Sequence, residues 1–122
     1  MADLHYLELN LMQIYDVLRH AEHLHLAVCG DAQPYVIPMR YQLEVAQDTP
    51  ILHLVCPAVG RKVDALRRNA LCCAEIDLPG CAWQDTVLIE GRIRIGVEED
   101  MYLHLLLRAD RLSGRRYYLP SP

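Results

Sequence analysis

The sequence predicts a mainly β fold, a small six-stranded antiparallel barrel with peripheral helices. Three observations carry this expectation. Short β-prone runs recur along the 122 residues, each bounded by turn signals such as Gly30-Asp31 and Pro79-Gly80. Their connections read as short hairpins, which join antiparallel strands. The longest run has Gly91 on its apolar face, where a barrel strand needs to bend or to be closely approached. A chain of this length supports one core rather than two, so 1–122 is read as a single domain.

The elements follow in order. Leu11, Ile14, Tyr15 and Leu18 recur at helical spacing and predict an amphipathic helix over about 10–21. The barrel then spans about 24–97. Its first strand is 24–29, and its second, 34–45, is rich in Tyr35, Val36, Ile37, Tyr41 and Val45. Pro38 cannot donate a ladder hydrogen bond, which puts that strand at an edge or bulges it. Gln47-Asp48-Thr49-Pro50 turns the chain into a third strand, 51–56. A helix over about 59–68 buries Val63 and Leu66, and 70–78 is a fourth strand. In 86–97, Val87, Ile89, Gly91, Ile93 and Ile95 alternate with Leu88, Glu90, Arg92 and Arg94, so the second set faces water. Met101, Leu105 and Leu112 suggest a C-terminal helix over about 98–112, followed by a polar tail, 113–122. The apolar run Leu103, Leu105, Leu106 and Leu107 exceeds what one buried helix face needs, which points to self-association.

Composition narrows the function. Net charge is −4 with no lysine-rich block, which argues against a nucleic-acid or anionic-membrane partner. The opening Met1-Ala2-Asp3 lacks the positive start of a signal peptide, and no run reaches membrane-spanning length, so a cytoplasmic protein is expected. The five cysteines form no CxxC pair and read as reduced thiols, with Cys81 the most exposed. His20, His23 and His25 form an HxxHxH cluster, but no paired carboxylate is evident beside them, so no metal is assigned. His53 reads as a barrel histidine and His104 as a residue of the last helix. Both serines, Ser113 and Ser121, fall in the tail, and neither nucleotide-binding glycine loop is present, so no side chain is assigned a catalytic role.

One stretch does carry chemistry. Gly60-Arg61-Lys62-Val63-Asp64-Ala65-Leu66-Arg67-Arg68-Asn69 follows a strand and opens a helix with adjacent cations. Cations are disfavoured at a helix start, where unpaired N–H groups and the dipole already supply positive charge. A bound anion such as a phosphate would reverse that cost.

Three segments together resemble the pyridoxamine 5′-phosphate oxidase-like family of FMN-binding split barrels. They are Pro34-Tyr35-Val36-Ile37-Pro38-Met39-Arg40-Tyr41, the strand and Gly60-Arg61-Lys62 helix just described, and Thr86-Val87-Leu88-Ile89-Glu90-Gly91-Arg92-Ile93. The match spans about 10–110 and is most similar to the short nitroimidazole-resistance-like branch, although Val55 stands where many of its members carry histidine. The resemblance implies a split β-barrel that binds FMN. The phosphate would meet Arg61 and Lys62, with Arg40 a further candidate. The ribityl chain and ring would run along Tyr35, Val36, Ile37, Pro38 and Met39 and the backbone of Val55 and Cys56, with Thr86 near the flavin. It further implies a homodimer with FMN at the subunit interface. The activity implied is an FMN-dependent oxidoreductase acting on a small organic molecule. Alternatives are a non-catalytic flavin- or haem-binding module for sensing or storage, and a deazaflavin in place of FMN.

Overall fold

The computed structural model describes residues 5–30 and 32–118. Asp31 of the predicted Gly30-Asp31 turn and positions 119–122 of the predicted tail lie outside the described residues. The elements are β1 (Tyr6–Glu8), α1 (Leu11–His20), β2 (His23–Val28), β3 (Tyr35–Arg40), β4 (Gln42–Ala46), β5 (Thr49–Pro57), α2 (Arg61–Arg68), β6 (Leu71–Pro79), β7 (Trp83–Glu99) and β8 (Tyr102–Tyr118). All pairings are antiparallel, in the order β3-β2-β6-β7-β8-β5-β4, with β1 added on β8.

Only Tyr41 separates β3 from β4, so the two are one strand with a kink. The first half pairs with β2 and the second with β5. Counted this way, the sheet is a ring of six strands, as the sequence suggests, with β1 outside it. The predicted strand over 34–45 is therefore real but breaks at Tyr41. Pro38 pairs with His25 on β2 and has no strand on its other side, the edge position its missing N–H requires.

Helix α1 starts where Asn10 and Gln13 cap one another, each side-chain oxygen accepting from the other's backbone N–H at 2.9 Å. It buries Ile14, Tyr15, Val17 and Leu18. The Tyr15 hydroxyl donates to the Asp48 carbonyl at 2.8 Å, which ties the β4–β5 hairpin to the helix. In α2, Val63, Ala65 and Leu66 are buried as expected. Gly30 lies so close beneath that helix that a Cβ there would sit 1.9 Å from the Ala65 carbonyl oxygen.

The last predicted helix is a correction. Residues 98–112 hold the end of β7, a turn at Asp100 and Met101, and most of β8. Both turn residues have positive φ, 51° and 70°, the left-handed geometry of a tight hairpin. Beyond the turn, Leu103, Leu105 and Leu107 point inward at period two and are almost wholly buried. They fill the barrel and are not the surplus surface expected of them. Fully burying each contributes about 1.5–3 kcal/mol. The predicted tail is also strand as far as Tyr118. Strand β7 runs longer than predicted but keeps its alternation, with Val87, Ile89, Gly91 and Ile93 inward. A Cβ at Gly91 would lie 2.2 Å from the Arg108 carbonyl oxygen, beside a bulge in the β7–β8 register. The close approach expected at Gly91 is present. Among the described residues, no helix is long and apolar enough to cross a membrane.

Asp85 is a buried charge on β7. Arg116 on β8 grips it with two hydrogen bonds, at 2.8 and 2.9 Å, and the same guanidinium lies 4.6 Å over the Trp83 ring. Removing one partner of such a pair leaves the other desolvated and uncompensated. We expect Asp85→Ala to lower the unfolding free energy by roughly 3 kcal/mol in urea titration. A loss below about 1 kcal/mol would mean that the pair behaves like an exposed one.

Candidate functional site

The kinked strand opens the barrel on one side. Where β3 ends its pairing with β2, and β4 begins its own with β5, a cleft of about 700 Å³ lies between β3 and β5. That volume is within the range of small-molecule sites. One wall is Pro38, Met39 and Arg40, and the other is His53, Val55, Cys56 and Pro57. Lys62 reaches in from α2, Ala21 and Glu22 close one end beyond α1, and His104 of β8 completes the lining.

The turn into α2 is built as the sequence requires. Gly60 has φ +132°, a conformation that side chains rarely adopt, and no side chain caps the helix start. Lys62 follows on the cleft side. Its ammonium is felt by the buried Cys56 thiol: burial pushes that thiol up, and Lys62 partly offsets the shift. Arg61 is not among the lining residues. Its guanidinium lies 4.1 Å over the Tyr35 ring.

The structure therefore brings together Pro38, Met39, Arg40, Val55, Cys56 and Lys62 from the predicted set. Tyr35, Val36 and Ile37 precede them on β3 but do not line the cleft, and Val36 points to solvent. Thr86 lies elsewhere. It donates to Asp77 Oδ1 at 2.8 Å and borders a smaller hollow of about 280 Å³ with Leu88, Ser113, Gly114, Arg115 and Tyr117.

Sequence reasoning missed the polar chain on the cleft wall. His53 Nε2 meets a Glu44 carboxylate oxygen, and His53 Nδ1 lies 2.9 Å from His104 Nε2. The two rings are 16° from parallel, with centroids 5.1 Å apart. The histidine cluster also gains carboxylates that the sequence did not place. His25, Glu75 and Asp77 have ligand atoms within 4.8 Å of one another on the outer face of β2 and β6. His20 instead contacts its own helix, at the Asp16 carbonyl.

The sequence matches no family model and no curated protein. Solved structures share its architecture. An FAD-binding protein from Mesorhizobium loti superposes with a TM-score of 0.81 at 19% identity, over 91% of this chain and 97% of that one. The fold is the pyridoxamine 5′-phosphate oxidase-like split barrel. A candidate 5-nitroimidazole antibiotic resistance protein from Bacteroides thetaiotaomicron gives 0.80 at 15% identity, over 97% and 91%. A candidate pyridoxamine 5′-phosphate oxidase from Corynebacterium glutamicum gives 0.77 at 13%, over 100% and 99%.

Thiol chemistry tests the burial of the cleft wall. Cys29 and Cys81 are exposed, whereas Cys56 and Cys72 are buried, and burial pushes the Cys72 thiol up to about 12. Only thiolates react quickly. With a chromogenic aromatic disulfide at neutral pH, we expect Cys29 and Cys81 to react in the folded protein. Cys56 and Cys72 should react only after denaturation. Fast labelling of Cys56 in the native protein would mean that the cleft wall opens.

Proposed function

We propose that this protein binds FMN in the barrel cleft and uses it as an oxidoreductase on a small organic molecule. The observation that carries this reading is the convergence of Arg40 and Lys62 on a cleft with apolar walls. Its support from comparison is that proteins of the same fold include FAD-binding ones from Mesorhizobium loti and Mycobacterium smegmatis.

The residues present fit the group. A flavin mononucleotide has a dianionic phosphate at one end and a flat apolar ring system at the other. The glycine-capped start of α2, with Lys62 in its first turn, offers backbone N–H groups and a cation to the phosphate. Arg61, beside it, and Arg40, across the cleft, are the further cations in this proposal. Met39, Val55 and Pro57 supply surface for the ring, and the edge backbone of β3 supplies polar contacts along it. When bound, the flavin supplies the two-electron chemistry, and the protein supplies position and electrostatics. His53 and His104 turn their facing nitrogens to each other, which favours a flavin over haem here.

We place the active unit as a homodimer. Val55, Val97 and Tyr102 are exposed around a second hollow that adjoins the cleft, an apolar surface suited to a second copy. Light scattering after gel filtration should give twice the chain mass, and a monomer at micromolar concentration would remove this part of the proposal.

Cofactor binding is tested with the purified protein and added FMN. We expect a yellow complex and quenched flavin fluorescence on titration. Lys62→Ala should weaken the affinity roughly ten- to a hundredfold, the loss of one charge-assisted hydrogen bond to phosphate. A protein that takes up no FMN would end the proposal, and unchanged affinity in Lys62→Ala would move the phosphate elsewhere.

A further inference from the structure

The Glu44–His53–His104 chain has a chemical sense beyond cofactor binding. Its members come from three strands: Glu44 from β4, His53 from β5 and His104 from β8. Glu44 is half exposed and accepts from His53 Nε2, which fixes the proton of that ring on Nε2. His53 Nδ1 and His104 Nε2 then share a single proton across 2.9 Å. The remaining ring nitrogen, His104 Nδ1, faces Gly96. A Cβ placed on that glycine would lie 3.7 Å from it, in van der Waals contact with the ring nitrogen. His104 borders both the cleft and the adjoining hollow of about 430 Å³. A carboxylate that holds an imidazole fixes the tautomer and orientation of that ring, and here the ring so fixed holds a second one.

We propose that His104 is the general acid of this cleft, with His53 and Glu44 as positioning residues that hold its ring. This rests on the flavin reading above. An organic acceptor such as a quinone takes up two electrons and two protons to become a hydroquinone. With a hydride equivalent supplied by a bound reductant of the dihydroflavin class, the second proton would come from His104. In that transfer the His104 Nδ1–H bond breaks and an O–H bond forms on the acceptor. The shared proton settles on His104 Nε2, so both rings end neutral and both hydrogen bonds persist. Water in the adjoining hollow reloads Nδ1. Around the chain, the charged groups are Glu44 on β4, Arg40 on β3, Lys62 on α2, Glu22 after α1, Arg94 on β7, and Glu99 and Asp100 at the β7–β8 turn.

Two measurements decide this. In the protein without added cofactor, nitrogen-15 NMR of the imidazoles should show His53 protonated at Nε2 and coupled through one proton to His104. Glu44→Gln should redistribute that tautomer. Rings that ignore Glu44→Gln would overturn the chain whether or not flavin binds. In the FMN-loaded protein with a nicotinamide reductant, two acceptors are compared: benzoquinone, which needs protons, and ferricyanide, which needs only electrons. His104→Gln should slow benzoquinone reduction roughly a hundredfold, at least tenfold more than it slows ferricyanide reduction, and flatten the fall of the benzoquinone rate with rising pH. Equal rates with benzoquinone would overturn the proposal, as would equal slowing with both acceptors, which marks a structural defect. Failure to load FMN defeats the flavin reading and this proposal with it, whereas a loaded protein that passes neither arm defeats this proposal alone.

Discussion

The cleft exists because one strand changes partners, and the hydrogen bond from the Tyr41 hydroxyl to the Leu18 carbonyl, 2.7 Å long, holds the place where it does so. Leu18 sits in the last turn of α1, where carbonyls lack helical partners and need a donor from elsewhere. Tyr41 supplies one from the kink between β3 and β4. Burial pushes its phenol up to about 12, so the hydroxyl stays protonated and remains a donor across the ordinary pH range. One side chain thus completes the end of a helix and anchors the break in a strand. Without that break, β3 would continue alongside β5 and the slot that admits Arg40 and Lys62 would close.

The parts of the fold legible in the sequence are those where burial imposes one period. In β7, the alternation of Val87, Ile89, Gly91 and Ile93 with charged neighbours reads only as a strand, because its outer face is wet. In α1, four apolar residues at helical spacing and an Asn-x-x-Gln box leave little choice. The strand over 102–118 defeated the same reasoning for a physical reason. Leu103, Leu105, Leu106 and Leu107 satisfy both a helical and an alternating pattern, and leucine favours helices in isolation. Ladder partners on both sides decided the matter: β7, joined through the Asp100-Met101 turn, and β5, distant in sequence. The turn gave no signal because Asp100 and Met101 adopt positive φ without a glycine.

The same misreading hid the cleft histidines. Placed on a helix, His104 has no geometric relation to His53. Placed on β8, it pairs with Val55, two residues along from His53 on the same outward face of the sheet. The β4–β5 turn acts alike. Gln47 and Asp48 form a two-residue turn, whereas a turn reaching to Pro50 would shift the pairing and send Glu44 away from His53. Lys62, by contrast, was readable, since the Gly-Arg-Lys turn positions it through local geometry alone.

The charge of the cleft follows from distance rather than composition. A net charge of −4 argues against binding an extended polyanion but not a single phosphate. At physiological ionic strength, exposed charges farther than about 8 Å are largely screened, so a ligand in the slot responds to the few groups that line it. Those are Arg40 and Lys62 against Glu22, with the histidines beyond. Because Met39, Val55 and Pro57 keep part of the wall dry, the two cations act through a medium less screening than water. A small molecule with one anionic end and a flat apolar body meets both conditions at once. Neither a purely apolar ligand nor a free inorganic anion does, since each leaves one half of the wall without its complement.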